Sequence, residues 1–201
     1  MLAGANATLR RVPVWPLYWF GGLPALWLFW LAATGGLGPD PVRALEHWYG
    51  EIALWLLTLG LTVTPLRRFT GLSLLRFRRA IGLLAFAHVC FHVAVWLLLD
   101  IQLDAAAAWQ DIFERPHITV GMVAFVLLVP LALTSSDRAV RRLGPEAWRR
   151  LHWLVYPAAL GGAVHYMMLV KTWEAAPILW LAVLLLLLAS RLPRLRRTQR
   201  A

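Results

Sequence analysis

From Arg78 to Leu99 the chain reads RRAIGLLAFAHVCFHVAVWLLL: two arginines, then twenty residues with no Asp, Glu, Lys or Arg but with two histidines, His88 and His92. A bilayer's hydrocarbon core is about 30 Å thick, so a spanning helix needs roughly 20 apolar residues. The run 80–99 meets that length. Working outward from it, five more stretches come close, at about 14–34, 47–65, 118–134, 151–170 and 175–192. The last is the shortest and would lean on Trp173 and the arginines that follow it. Connections are short, and no repeat or separate soluble region is visible. The expectation is an all-α integral membrane protein, a six-transmembrane-helix bundle forming a single domain over 1–201.

Composition agrees. Of 201 residues, 60% are hydrophobic and 15% charged, against roughly 45–50% and about 25% in soluble domains. A disordered chain would be poor in apolar residues, and one cysteine, Cys90, excludes a disulfide framework. Formal net charge is +10. The arginines cluster between apolar runs rather than along a nucleic-acid-binding face, and no nucleic-acid motif appears. Counting Arg10 and Arg11, then 67–79, 138–150 and 191–200, puts 17 of the 20 basic residues on one side of the expected bundle. Arg43, Arg115 and Lys171 fall on the other. The positive-inside rule then makes both termini cytoplasmic. The N-terminal stretch carries Pro13, Pro16 and Pro24 and lacks a clear cleavage site, so it reads as a retained, kinked helix rather than a signal peptide. Gly35-Gly36-Leu37-Gly38, followed by Pro39, reads as a turn rather than a phosphate loop.

Chemistry is carried by the histidines. Ionisable groups inside a bilayer are costly and are functional candidates by default. His47 and His117 sit at outward helix ends, where interfacial water satisfies them. His88 and His92 share one face of the third span. At about 1.5 Å per residue, His92 lies roughly 18 Å and His165 roughly 21 Å from the cytoplasmic ends of their spans. Two imidazoles at one depth on parallel-running helices match axial ligation of a haem iron. The plain alternative is interhelical hydrogen bonding. A zinc or di-iron site would need carboxylate or thiolate ligands, and Glu51 and Cys90 are poorly placed to supply them. His152 lies roughly 20 Å shallower than His165, and an ideal helix would turn the two about 140° apart. Pro157 and Gly161-Gly162 can alter that relation. A second haem at His152 would face Arg78 or Arg79 rather than a histidine.

Several segments together resemble a known family. They are Gly36-Leu37-Gly38-Pro39-Asp40-Pro41-Val42, Thr64-Pro65-Leu66, Arg78-Arg79-Ala80-Ile81-Gly82-Leu83, Arg115-Pro116-His117-Ile118-Thr119-Val120-Gly121, Leu143-Gly144, the run Trp148 to Tyr156, and His165-Tyr166. In this order across nearly the whole chain, they resemble the MsrQ (YedZ) family of haem-binding membrane subunits, within the ferric-reductase-like transmembrane superfamily. The resemblance implies haem b, one or two, with His92, His152 and His165 as iron ligands. His88 is then a substitute ligand, a propionate partner or a local variant. It also implies FMN, with Arg78 and Arg79 as candidates for haem propionates or flavin phosphate. Further implications are the respiratory quinone pool as electron source, a periplasmic molybdopterin catalytic subunit, MsrP, as partner, and the bacterial inner membrane as location. Sulfoxide reduction would belong to the partner, and no catalytic residue is expected in this chain. Glu51 is a candidate acceptor of a quinol proton. The rival readings are a ferric or cupric reductase of the same superfamily and a small proton-coupled transporter, although repeated halves typical of many transporters are not visible.

Overall fold

The computed structural model describes residues 2–169 and 175–190. Its elements are α1 (Leu2–Arg11), α2 (Trp15–Ala33), α3 (Pro41–Thr70), α4 (Arg78–Val95), α5 (Ala105–Glu114), α6 (Pro116–Leu133), α7 (Asp137–Leu143), α8 (Pro145–Leu151), α9 (Val155–Leu169) and α10 (Ala175–Ala189). No strand occurs among the described residues.

Four segments are long and apolar enough to cross a membrane: Trp15–Ala33, Pro41–Thr70, Leu75–Asp100 and Pro116–Leu133. The stretches expected as fifth and sixth spans contain α9 and α10, of 15 described residues each, shorter than the four spanning candidates. Val170, Lys171, Trp173 and the arginines from Arg191 onward lie outside the described residues. The α-helical pattern entering α9 is broken by a 3-10 turn over His152–Leu154. Pro157 supplies the reason: it has no N–H to offer the Trp153 carbonyl.

Helix ends overrun the hydropathy boundaries. α3 begins at Pro41, where the Asp40 side chain accepts from the Arg43 N–H at 3.2 Å. It ends beyond Pro65 at Gly71, whose φ of 77° suits a glycine after a helix. The expected span of 47–65 is therefore the apolar middle of a 30-residue helix. α4 closes in a π-helical turn over Trp96–Asp100, with the Ile101 N–H reaching the Trp96 carbonyl at 2.8 Å. The connection between α4 and α6 contains α5, capped by Asp104. The arginine-rich connection after α6 folds into α7 and α8.

The central helices α3, α4, α6 and α9 meet around Leu57, Ala85, Leu128, Leu131 and Ala158. α3 packs most extensively on α4, and α6 on α9. Small residues permit this: Ala80, Ala85, Ala159 and Ala163 are fully buried, as expected where helices associate by close packing in lipid. α10 docks through Trp180 and Leu184 against Leu54, Leu61 and Ala159. α2 is seated lightly, with only Ala25 and Leu28 buried and the Tyr49 hydroxyl donating to the Ala25 carbonyl at 2.8 Å. Outward faces are apolar: Trp19, Phe20, Leu133 and Leu186 are each at least 69% exposed, as a lipid-facing surface requires.

Among the described residues, the arginine-rich stretches near residues 10, 67–79 and 137–150 meet at one end. Arg79 pairs with Asp137 at 2.6 Å, joining the start of α4 to α7. Asn6 of α1 binds the Gly71 carbonyl and the Ser73 N–H. Arg76 donates to the Arg10 carbonyl, and Arg68 to the Ser190 carbonyl at the end of α10.

Candidate haem-binding cavity

A cavity of about 800 Å³ lies between α3, α4, α6 and α9, toward the end that carries Asp40, Arg43, Asp100 and Arg115. Its volume falls within the roughly 300–1,000 Å³ of typical cofactor sites. His92 from α4 and His165 from α9 both line it. Their ring centres are 6.0 Å apart and their planes meet at 79°. The depth match read from helix rise therefore corresponds to a real meeting of the two rings.

Each ring is held by its Nδ1. His92 Nδ1–H donates to the Glu46 carbonyl of α3 at 2.8 Å, and His165 Nδ1–H donates to the His117 carbonyl of α6 at 2.7 Å. This fixes the tautomer in which Nε2 carries the lone pair, the form that ligates metal. Glycine makes room at both places. A Cβ on Gly50 would lie 3.3 Å from His92 Nδ1, and one on Gly121 would lie 2.9 Å from His165 Nδ1.

The residues fit a haem. With a metal–nitrogen bond of about 2 Å and about 1 Å more to each ring centre, opposed imidazoles clamping one iron stand about 6 Å apart. Among the described residues no group of three or more His, Cys, Asp or Glu is arranged to hold a metal ion. Two imidazoles alone would suit a metal group that brings its other ligands with it, as haem does.

The remaining candidates are spread more widely. His88 does not line the cavity. It is fully buried, with Nδ1–H on the Leu84 carbonyl of its own helix at 2.9 Å and its ring edge-on to Tyr49 and Phe91. His152 stacks on Trp148 at 3.8 Å and donates from Nδ1 to the Trp148 carbonyl at 3.0 Å. Its Nε2 is buried without a hydrogen bond of ordinary geometry, near the Leu131 backbone, and Arg78 lies close enough to be felt electrostatically. Arg79 is engaged with Asp137, whose carboxyl that guanidinium holds below the usual carboxylate range. Cys90 is a free, half-buried thiol outside the cavity lining.

His47 and His117, expected only to reach interfacial water, stand on the cavity wall. His47 sits 3.7 Å from Glu51 and edge-on to Tyr166, and the His117 ring lies 6.1 Å from that of His165. Glu46, Gly50 and Gly121 were absent from the sequence candidates. A glycine interior to each of two apolar helices was the available signal, since such a glycine usually marks a close approach.

Residues 49–163 match the family described as ferric reductase like transmembrane component. A relative from Brucella anthropi is 49% identical over 193 residues, covering 95% of this chain and 87% of its own length. Relatives from Brucella ovis and Brucella canis are each 50% identical over 200 residues, covering 96% of this chain and 90% of their own. All three are named protein-methionine-sulfoxide reductase heme-binding subunit MsrQ. No solved structure matches. The shared family, the all-helical apolar bundle and the paired imidazoles agree, and this chain belongs to the MsrQ family of ferric-reductase-like transmembrane proteins.

Proposed function

We propose that this protein is the haem b membrane subunit that passes electrons from the respiratory quinone pool to a periplasmic molybdopterin methionine-sulfoxide reductase of the MsrP type, which repairs oxidised periplasmic proteins. One observation carries the reading: His92 and His165 stand 6.0 Å apart on the wall of one cavity, each with Nδ1 already committed to a backbone carbonyl. Haem, when bound, supplies a one-electron carrier. The chain's part is to hold it, tune it and keep it out of water. Two imidazole ligands would leave no open iron position, which suits electron transfer rather than oxygen chemistry.

In this reading all six apolar segments cross the bacterial inner membrane as one domain. The arginine-rich end and both termini face the cytoplasm, and the cavity lies toward the periplasm, where the partner waits. His152, with Arg78 nearby, is the candidate holder of a second haem in the cytoplasmic half. FMN enters from the family resemblance, with the Arg78 guanidinium as the candidate for its phosphate. A ferric reductase reading draws on the name of the matched family. The relatives near 50% identity favour the methionine-sulfoxide system instead.

The test is the optical and spin-resonance spectrum of the purified full chain from haem-replete cells, followed by addition of quinol to membranes. A low-spin haem lost in both His92→Ala and His165→Ala, and reduced by quinol, is expected. A colourless but folded wild type refutes the haem assignment. Reduction by a soluble nicotinamide-dependent reductase, with none by quinol, refutes the quinone link alone.

A further inference from the structure

We propose that Gly50 and Gly121 are positioning residues. Each bares a helix carbonyl so that a histidine from a neighbouring helix can anchor its Nδ1–H there and present Nε2 to the iron. The inference rests on the haem reading above.

The two places share one construction. On α3, His92 is held by the carbonyl of Glu46, four residues before Gly50. On α6, His165 is held by the carbonyl of His117, four residues before Gly121. In an α-helix, residues i and i+4 lie one above the other, and the Cα–Cβ bond tilts toward the N-terminus. A side chain at i+4 therefore leans over the carbonyl of residue i. That carbonyl already accepts the i+4 backbone N–H, and its second lone pair can accept an outside donor only if the approach is clear. Glycine clears it.

Other helical glycines also sit close to a neighbour, Gly21 against the Leu84 side chain and Gly161 with a Cβ that would lie 3.2 Å from the Ala124 Cβ, but those contacts are apolar packing. A Cβ at Gly60, on the same helix as Gly50, would meet only Ile81 at 3.6 Å, and one at Gly82 nothing within 4 Å. At Gly50 and Gly121 the atom met is the hydrogen-bonded nitrogen itself.

A hydrogen bond to Nδ1–H raises the basicity of Nε2, and losing such a partner typically weakens metal binding about 10–100-fold. The two positions differ in tightness. At Gly121 the added carbon would stand 2.9 Å from a nitrogen bonded at 2.7 Å, so the ring has to move. At Gly50 the gap is 3.3 Å and a few tenths of an ångström suffice.

The experiment uses the full chain in lipid nanodiscs, titrated with haem, with Gly121→Ala, Gly50→Ala and Gly60→Ala. Affinity, midpoint potential and low-spin g-values are measured, with helical content and size-exclusion profile alongside. Alanine favours helix over glycine, so local propensity cannot account for a loss. We expect Gly121→Ala to weaken haem binding by about 10–100-fold, to raise the potential as ligand basicity falls, and to shift the g-values. Gly50→Ala should shift them in the same direction by less, and Gly60→Ala not at all. If Gly121→Ala does not assemble, the milder Gly50→Ala decides. Wild-type affinity, potential and g-values in assembled Gly121→Ala and Gly50→Ala overturn the device while the haem reading stands. A wild-type chain that takes up no haem overturns both.

Discussion

Replacing His88 by leucine separates a structural histidine from a ligand. His88 is fully buried, its Nδ1–H bonds the Leu84 carbonyl one turn back, and its Nε2 has no hydrogen-bond partner. Leucine is close to imidazole in bulk and carries no polar atom. Removing a buried, unsatisfied polar atom recovers about 1–3 kcal/mol, and losing the Nδ1 bond costs about 0.5–1.5 kcal/mol. The Leu84 carbonyl still accepts its own helical N–H, so no orphan replaces the old one. Forfeiting the edge-on contacts with Tyr49 and Phe91 takes back at least about 0.5 kcal/mol. The balance runs from about 1 kcal/mol against leucine to about 2 kcal/mol in its favour. On the scaling for chains of 150–250 residues, about 2–4 °C per kcal/mol, the melting temperature should lie between a fall of about 4 °C and a rise of about 8 °C. The assay is a thermal melt of purified His88→Leu beside wild type, with haem counted per chain. Full haem occupancy with a melting temperature inside that window is expected. Loss of haem, or a fall of more than about 5 °C on the same scaling, refutes the reasoning and returns His88 to the ligand set.

Two more outcomes follow from the geometry. His47→Ala should keep its haem, because its side chain is 52% exposed and pairs with Glu51 rather than with either ligand ring; haem loss matching that of His92→Ala would reverse this. The Arg79–Asp137 bridge should open on acidification. Its carboxyl sits below the ordinary value, so its contribution is present above the unfolded-state pKa of about 3.9 and vanishes as pH falls through the lower folded value. Hydrogen exchange over residues 137–143 should then quicken in that acid range in wild type and not in Asp137→Asn; identical profiles would dismiss the bridge.

The sequence was most legible where structure follows from continuous helical rise. The run 80–99 and its neighbours marked the apolar helices, and counting residues from helix starts brought His92 and His165 to one level, where their rings meet, although the count for His165 crosses the 3-10 turn at His152–Leu154. The ideal-helix angle between His152 and His165 presumed continuous α-geometry, whereas His152 begins a 3-10 turn that hydropathy does not report. Helix ends were misjudged because hydropathy reports the apolar middle, whereas Asp40, Pro41 and Gly71 set the ends of α3 by capping. The short helices α5, α7 and α8 lacked the apolar length that drew attention elsewhere. At the site, a side chain's depth was readable but its neighbour across the helix gap was not. His117 therefore looked like a surface residue although its carbonyl anchors His165.

The two histidine anchors are separated by nearly equal lengths of chain, 46 residues from Glu46 to His92 and 48 from His117 to His165. Each imidazole is aimed by a bond inside its own helix pair, α3 with α4 and α6 with α9. The bearing of each ring is therefore set within a pair, and the gap between the rings by how the two pairs pack. A substitution in the core shared by the pairs would be read in that gap first, with both anchoring hydrogen bonds intact.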